Sequence, residues 1–415
     1  MRTRCLSLLA LLALLVLAAP AAATDYVPGE VVVKYREGGS AQQLQIDEGE
    51  TVTEAVDELS ADPEVKYAVP NLVAHAASFM PNDPGVDLQW NLFEPYGVGM
   101  PEAWTLAEST GAPGGRGAVV AVLDSGVAYE NYGRYRRAPD LRRSSFVKGY
   151  DFIDEDTHPN DTFGHGTHVA GTIAQATNNG RGVAGIAYNA KIMPVRVLDG
   201  YGYGDSVAIA RGIRYAAQRD VDVINLSVEF DDYVVASQIP GIIDAIRFAH
   251  RRGVVIVGAA GNDELGGGHV AYPARAREVI AVGATTEHGC LAWYSNRGHG
   301  LDLSAPGGGN DAAPSSEAEV PLCHPEEGGP SIFQQTFTRK SPTRCKLVRR
   351  DDGTAMASPH VAGIAALLIA SGRLGPNPTP MAVQQHLQAT ARDLGAPGFD
   401  SRYGYGLVDG GRALR

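Results

Sequence analysis

From about Pro81 to the C-terminus, apolar strand-like runs alternate with stretches of helical period, and this alternation restricts the possible folds more than any other feature. The runs are GAVVAVLD ending at Asp124, KIMPVRVLD ending at Asp199, VDVINLS ending at Ser227, GVVIVGAAGN ending at Asn262 and EVIAVGAT ending at Thr285. Between them lie segments such as SVAIARGIRYAAQR and IIDAIRFAHRR, whose apolar residues recur on one helical face. Continuous apolar strands joined through helices predict an α/β fold, a doubly wound and mostly parallel sheet with helices on both faces. In such sheets the working residues gather beyond the carboxyl ends of the strands.

Four polar positions follow from that rule. Asp124 places a carboxylate at a strand end, and His165 in GHGTH stands at the start of the helix THVAGTIAQA. Ser358 precedes Pro359, a pairing that predicts Ser358 as N-cap and Pro359 as first helical residue. A serine there lies beside free N–H groups and the positive end of a helix dipole, which stabilise an oxyanion. Asn262 adds an amide as a second oxyanion donor. Taken singly, each has a plain structural use: Ser358 as a helix cap, Asp124 as a turn former, His165 as a loop histidine and Asn262 as a left-handed turn residue. Together they amount to an acid, a base, a nucleophile and an amide donor at the ends of one sheet.

The letters HVAG occur twice, in GHGTHVAGTIA and in GTAMASPHVAGIAALL. Four residues are too few for a structural repeat, and His165 with His168 lacks the H-E-x-x-H pattern of a zinc helix. Two helix starts with small residues, Ala170 and Gly171 in one and Ala362 and Gly363 in the other, predict close packing. His168 and His360 are then packed structural histidines.

At these residues the chain resembles the subtilisin family of serine endopeptidases, in particular its thermitase-like members. VVAVLDSGV, GHGTHVAGTIA, GVAGIAYNAKIMPVRVLD, VINLS, AAGN, SAPG and GTAMASPHVAG stand in family order from Pro81 to the C-terminus. The resemblance implies that Asp124 orients the imidazole, His165 is general base and then acid, and Ser358 attacks the peptide carbonyl. Asn262 and the Ser358 N–H would hold the oxyanion. It also implies a substrate strand of Ser227, Val228 and Glu229 facing a wall of Ala259, Ala260 and Gly261.

Two calcium sites are implied as well, with no organic cofactor. One takes Asp151, Asp154 and Asp156 of DFIDEDTHPND, with Asn160; a solvated acidic loop is the alternative. The other takes Asp83, Asp140, the Asn179 side chain and the carbonyls of Ala176, Arg181 and Val183. The chain departs from the family at Glu229, where relatives carry Ser-Leu-Gly-Gly, and this carboxylate suggests a lean toward basic substrate residues. It departs again at Ala355, in place of the serine of the usual G-T-S-M-A-[ST]-P-H pattern, a change that looks mild in sequence. The insertion 307–352 suggests a disulfide-held flap.

Upstream, residues 1–23 read as a cleaved signal peptide: Arg2 and Arg4, an apolar run, then Ala21-Ala22-Ala23. Export to the periplasm or beyond follows, with no later membrane span. Residues 24–79 form a separate α+β unit, with strands at Gly29–Tyr35 and Glu64–His75 and a broken helix from Ala41 to Leu59. It resembles a shortened propeptide, an intramolecular inhibitor released by self-cleavage between His75 and Met80; residues 80–415 are the peptidase domain. Cys323 and Cys345 share the polar insertion and are expected to pair, a closure that stabilises by roughly 3 kcal/mol, with Cys290 a buried thiol. The net charge of −12 argues against a nucleic-acid or anionic-membrane partner, and the resemblance implies protein or peptide substrates and a monomeric enzyme. A catalytically silent binding module with a closed cleft is the competing reading.

Overall fold

The computed structural model describes residues 26–46, 50–72, 79–142, 145–263, 268–313, 323–325, 328–337 and 344–415. The expected signal peptide, residues 1–23, and residues 73–78, most of the expected cleavage stretch, lie outside them. The chain divides into two compact units, Met1–Ala77 and Ser78–Arg415.

In the first unit, β1 (Tyr26–Tyr35) is the middle strand of an antiparallel sheet, between β2 (Gln42–Gln45) and β3 (Val65–Leu72). The expected broken helix is instead β2 followed by α1 (Val52–Ala61). Thr51 and Glu54 form a reciprocal capping box that fixes where α1 begins. Val31, Val33, Val52, Ala55, Val65 and Ala68 make its small core.

The second unit is built on a seven-stranded sheet. Its strands are β4 (Val119–Asp124), β5 (Tyr150–Asp151), β6 (Lys191–Arg196), β7 (Val223–Leu226), β8 (Val255–Ala259), β9 (Ile280–Thr285) and β10 (Leu303–Pro306). They lie in the order β10-β9-β8-β7-β4-β6-β5, and every pairing is parallel. This is the doubly wound α/β arrangement that the apolar runs predict. Alternate β4 residues serve opposite cores: Val120 and Val122 face one, Ala121 and Leu123 the other.

One face is covered by α4 (Ser206–Ala217) and α5 (Pro240–Arg251). The other holds α2 (Met100–Ser109), α3 (His165–Ala174), α6 (Thr354–Ser371), α7 (Pro380–Thr390) and α8 (Gly410–Leu414). The hairpin of β11 (Ile332–Thr336) and β12 (Lys346–Asp351) precedes α6. α6 is apolar around most of its circumference because it runs through the core. A methyl on Gly363 would stand 2.7 Å from Ile186 Cγ2, so only glycine admits that approach. β4 has β7 on one side and β6 on the other, and this reversal of strand order is where an α/β sheet opens a crevice.

Candidate active site

β4 ends on Asp124, which is fully buried and accepts the Ser125 N–H at 2.7 Å. α3 begins with His165, whose Nδ1–H donates to Asp124 Oδ1 at 2.8 Å and Oδ2 at 2.9 Å. A proton held on Nδ1 leaves the Nε2 lone pair free to act as a base. Burial pushes this imidazole down, but the Asp124 charge outweighs it and carries the pKa up to about 9.

The start of α3 is set by a residue that sequence reasoning missed. Asp161 is buried and accepts from the N–H groups of Phe163, Gly164 and Thr167 and from the hydroxyls of Ser125 and Thr167. It thus fills the capping role that Gly164 cannot. Its spacing before the helix, Asp-x-x-Gly-His, was the available signal.

Three adjacent strands end at the site, because Ser227 follows β7 and Asn262 stands three residues past β8. Asn262 Oδ1 accepts the Thr354 N–H at 2.9 Å and Oγ–H at 3.2 Å, which pins the first residue of α6. Its amide is thereby turned toward the cleft, where Nδ2 donates to Glu229 Oε1 at 3.1 Å. Desolvation by the surrounding cleft pushes the Glu229 carboxyl above its ordinary range; the Asn262 contact opposes this and Asp263 adds to it. The cleft, about 440 Å³, is lined by His165, Ser227, Val228, Glu229, Ala259 and Asn262, together with Phe230, Tyr203 and Ala355. Ala260 and Gly261, expected in its wall, are both buried. Phe230, which continues the substrate strand, and Tyr203, not foreseen, give it aromatic surface.

Ser358 does not stand where sequence reasoning put it. α6 starts at Thr354 with Gly353 as N-cap, so Ser358 is the fifth helical residue and Pro359 lies inside the helix. The Ser358 N–H is therefore past the free donors of the first turn and cannot hold an oxyanion. Its side chain is fully buried. Pro359 has no N–H to give the Ala355 carbonyl one turn earlier, and Ser227 Oγ–H fills the gap at 2.9 Å. Ser227 Oγ, having spent its only hydrogen, accepts from Asn225 Nδ2 at 2.8 Å and from the Ser358 hydroxyl at 2.9 Å. Ser358 is thus committed to a saturated network that ties α6 to the end of β7. Among the described residues the His165 ring hydrogen-bonds Asp124 alone.

The two implied calcium sites differ. Asp151 and Asp154 are bridged by Arg196 Nη1, at 2.7 and 2.6 Å, so a guanidinium already supplies the positive charge. Asp156 Oδ1 accepts the His158 N–H, and the Asn160 amide donates to Glu130. A metal ion does not fit Asp151, Asp154, Asp156 and Asn160. At the other site Asp83 and Asp140 are 2% and 4% exposed, and Asp140 Oδ2 is buried with no partner. Asn179 donates to Asp140 Oδ1 at 2.7 Å, and a methyl on Gly182 would sit 2.2 Å from Oδ2. Two buried carboxylates with a free oxygen fit a hard cation.

The disulfide joins Cys290 to Cys323, leaving Cys345 as the free thiol among the described residues, in place of the expected Cys323–Cys345 pair. Asp311 explains it: the carboxylate accepts from Thr286, from His288 at 2.9 Å and from the His324 N–H at 2.8 Å, drawing residues 286–290 and 323–324 together. Cys345 instead stands immediately before β12 and packs against the core. Nor is the described insertion all flap: β11 is buried, with His168 Nε2 donating to the Ile332 carbonyl at 3.1 Å. His360, also buried, contacts Asn91 Nδ2 at 2.8 Å.

A subtilase family model of peptidases matches residues 115–406. The chain belongs to the subtilase family. Its class is therefore that of the serine-type endopeptidases, hydrolases of peptide bonds. It is 33% identical over 404 residues to a thermophilic serine proteinase of Bacillus sp. (strain AK1), covering 91% of this chain and 86% of that one. It is 36% identical to thermitase of Thermoactinomyces vulgaris over 72% of this chain and 88% of the relative. Among solved structures, a protease from Pseudoalteromonas arctica PAMC 21717 is similar with a TM-score of 0.64 and 32% identity, over 81% of this subtilase and 99% of that chain.

Proposed function

We propose that this subtilase takes an extended polypeptide into the cleft at the ends of β7 and β8 and polarises one peptide carbonyl there. In this reading Asp124 holds His165 so that Nε2 serves as base and then acid. Asn262 Nδ2 and the Ala355 N–H, free in the first turn of α6, receive the carbonyl oxygen. Ser227, Val228 and Ala259 line the bound chain. The convergence of His165 and Asn262 on one open cavity carries the reading. Tyr203→Ala, which removes an exposed aromatic ring from the cleft, should weaken binding of a fluorescent unfolded polypeptide at least about fivefold without lowering the melting temperature. Equal binding by this variant sinks the reading. Acyl transfer also requires a hydroxyl beside Nε2, a need that Ser358 does not meet.

Export through residues 1–23 and an inhibitory role for residues 24–79 belong to the same proposal, with the stretch between His75 and Met80 as the junction that a competent nucleophile would cut. They are supported by the signal-like N-terminus and by the compact unit upstream of Ser78. Asp83, Asp140, Asn179 and the carbonyls of Ala176, Arg181 and Val183 would hold a structural calcium ion. At a hundredfold excess over its Kd, calcium should stabilise the protein by about 2.7 kcal/mol. Asp140→Asn should abolish that increment in a thermal melt; an unchanged increment removes the site.

A further inference from the structure

The geometry points to Ala355 as the position from which a hydroxyl would attack, so the encoded chain presents a peptide to a prepared base and oxyanion site with a methyl in place of the nucleophile. This rests on the reading that the cleft takes polypeptide. Four observations carry it. Ala355 is the second residue of α6, partly exposed, and lines the cleft beside His165 and Asn262. It is held from both sides: Asn262 Oδ1 fixes the preceding residue, Thr354, and Ser227 Oγ–H fixes its own carbonyl at 2.9 Å. Ser358, one turn deeper, is buried with its proton given to Ser227. Ser227 has no proton to spare for a substrate, because its hydrogen is bound to the Ala355 carbonyl.

The scaffold for attack is therefore intact at every point but one atom. A hydroxyl added to the Ala355 side chain would lose its proton to His165 Nε2 as its oxygen bonds to the scissile carbonyl carbon. The carbon–nitrogen bond would then break, and the same proton would pass to the departing amine. Without that oxygen no acyl-enzyme forms on α6, and the chain holds polypeptide without this route to cutting it. Self-cleavage between His75 and Met80 is lost by the same omission.

The test compares the full chain with Ser358→Ala, Ala355→Ser, Ala355→Ser/Ser358→Ala and Ala355→Ser/His165→Ala. Readouts are intact mass after a fluorophosphonate probe, turnover of a quenched peptide library, and anisotropy of a labelled unfolded polypeptide. The encoded chain should bind polypeptide in competition with its own residues 24–79, remain unlabelled and persist as the uncut precursor. Ala355→Ser should gain the probe mass, with fluoride leaving as the new oxygen bonds to phosphorus, and should raise turnover by at least about 10³, since loss of the nucleophile costs triad hydrolases about 10⁶. Adding Ser358→Ala should leave labelling intact, and adding His165→Ala should abolish it. The inference is overturned if the encoded chain is labelled and Ser358→Ala removes the label. It is equally overturned if Ala355→Ser binds polypeptide normally yet neither labels nor cuts. Failure of every folded variant to bind polypeptide would instead overturn the cleft reading beneath it.

Discussion

α3 and α6 begin alike and end up with different chemistry. Both start at the carboxyl edge of the sheet, both carry HVAG, and both have a glycine as N-cap with no side chain to offer. The start of α3 is fixed by a buried carboxylate, Asp161, and its first residue is the imidazole of His165. The start of α6 is fixed by a neutral amide and a hydroxyl, from Asn262 and Ser227, and its cleft-facing residue is a methyl. The contrast separates two properties that usually travel together. Holding a helix end in place depends on neighbours that survive a substitution; reactivity depends on one atom that does not. α6 keeps the first without the second.

The comparison can be broken by removing the supports. The largest effect should come from Asp161→Ala, which leaves five buried donors without their acceptor and should cost about 3–5 kcal/mol in chemical denaturation. A loss under about 1 kcal/mol would mean that α3 is not anchored there.

Next comes pH. His165 rises from an ordinary 6.5 to about 9, so the Asp124–His165 pair contributes its full stability below about pH 6.5 and loses it as pH climbs through about 9. The decline can reach about 1.4 kcal/mol per pH unit in that window. Asp124→Asn should flatten it in urea titrations run across the window. In Ala355→Ser the same group should make turnover rise toward alkaline pH, since only the neutral imidazole accepts a proton.

The smallest stability effect belongs to Asn262→Ala, which strips α6 of a cap and should cost about 1 kcal/mol. Placed on the Ala355→Ser background, it should also lower turnover by about 10²–10³ through loss of an oxyanion donor. A stability loss with unchanged turnover would assign Asn262 to the helix end alone.

Periodicity and strand-end logic alone are enough to predict the parallel sheet, the place of Asp124 and Asn262 at its edge and the start of α3 at His165. These follow from local patterns, because apolar runs bury and polar residues collect where the backbone leaves the sheet. Other points turn on contacts between segments far apart in the chain. Ser-Pro reads as a helix start, yet Gly353 and Thr354 begin α6 earlier because Asn262, 92 residues away, supplies the cap. Asp151 and Asp154 read as metal ligands until Arg196, on the neighbouring strand β6, is seen between them. Cys290 finds Cys323 through a carboxylate on neither segment. Sequence therefore sets which residues reach the edge of the sheet. Only the tertiary structure decides which of them face one another, because a hydrogen bond or ion pair is made by proximity in space, and a turn of helix moves a side chain from the cleft into the core.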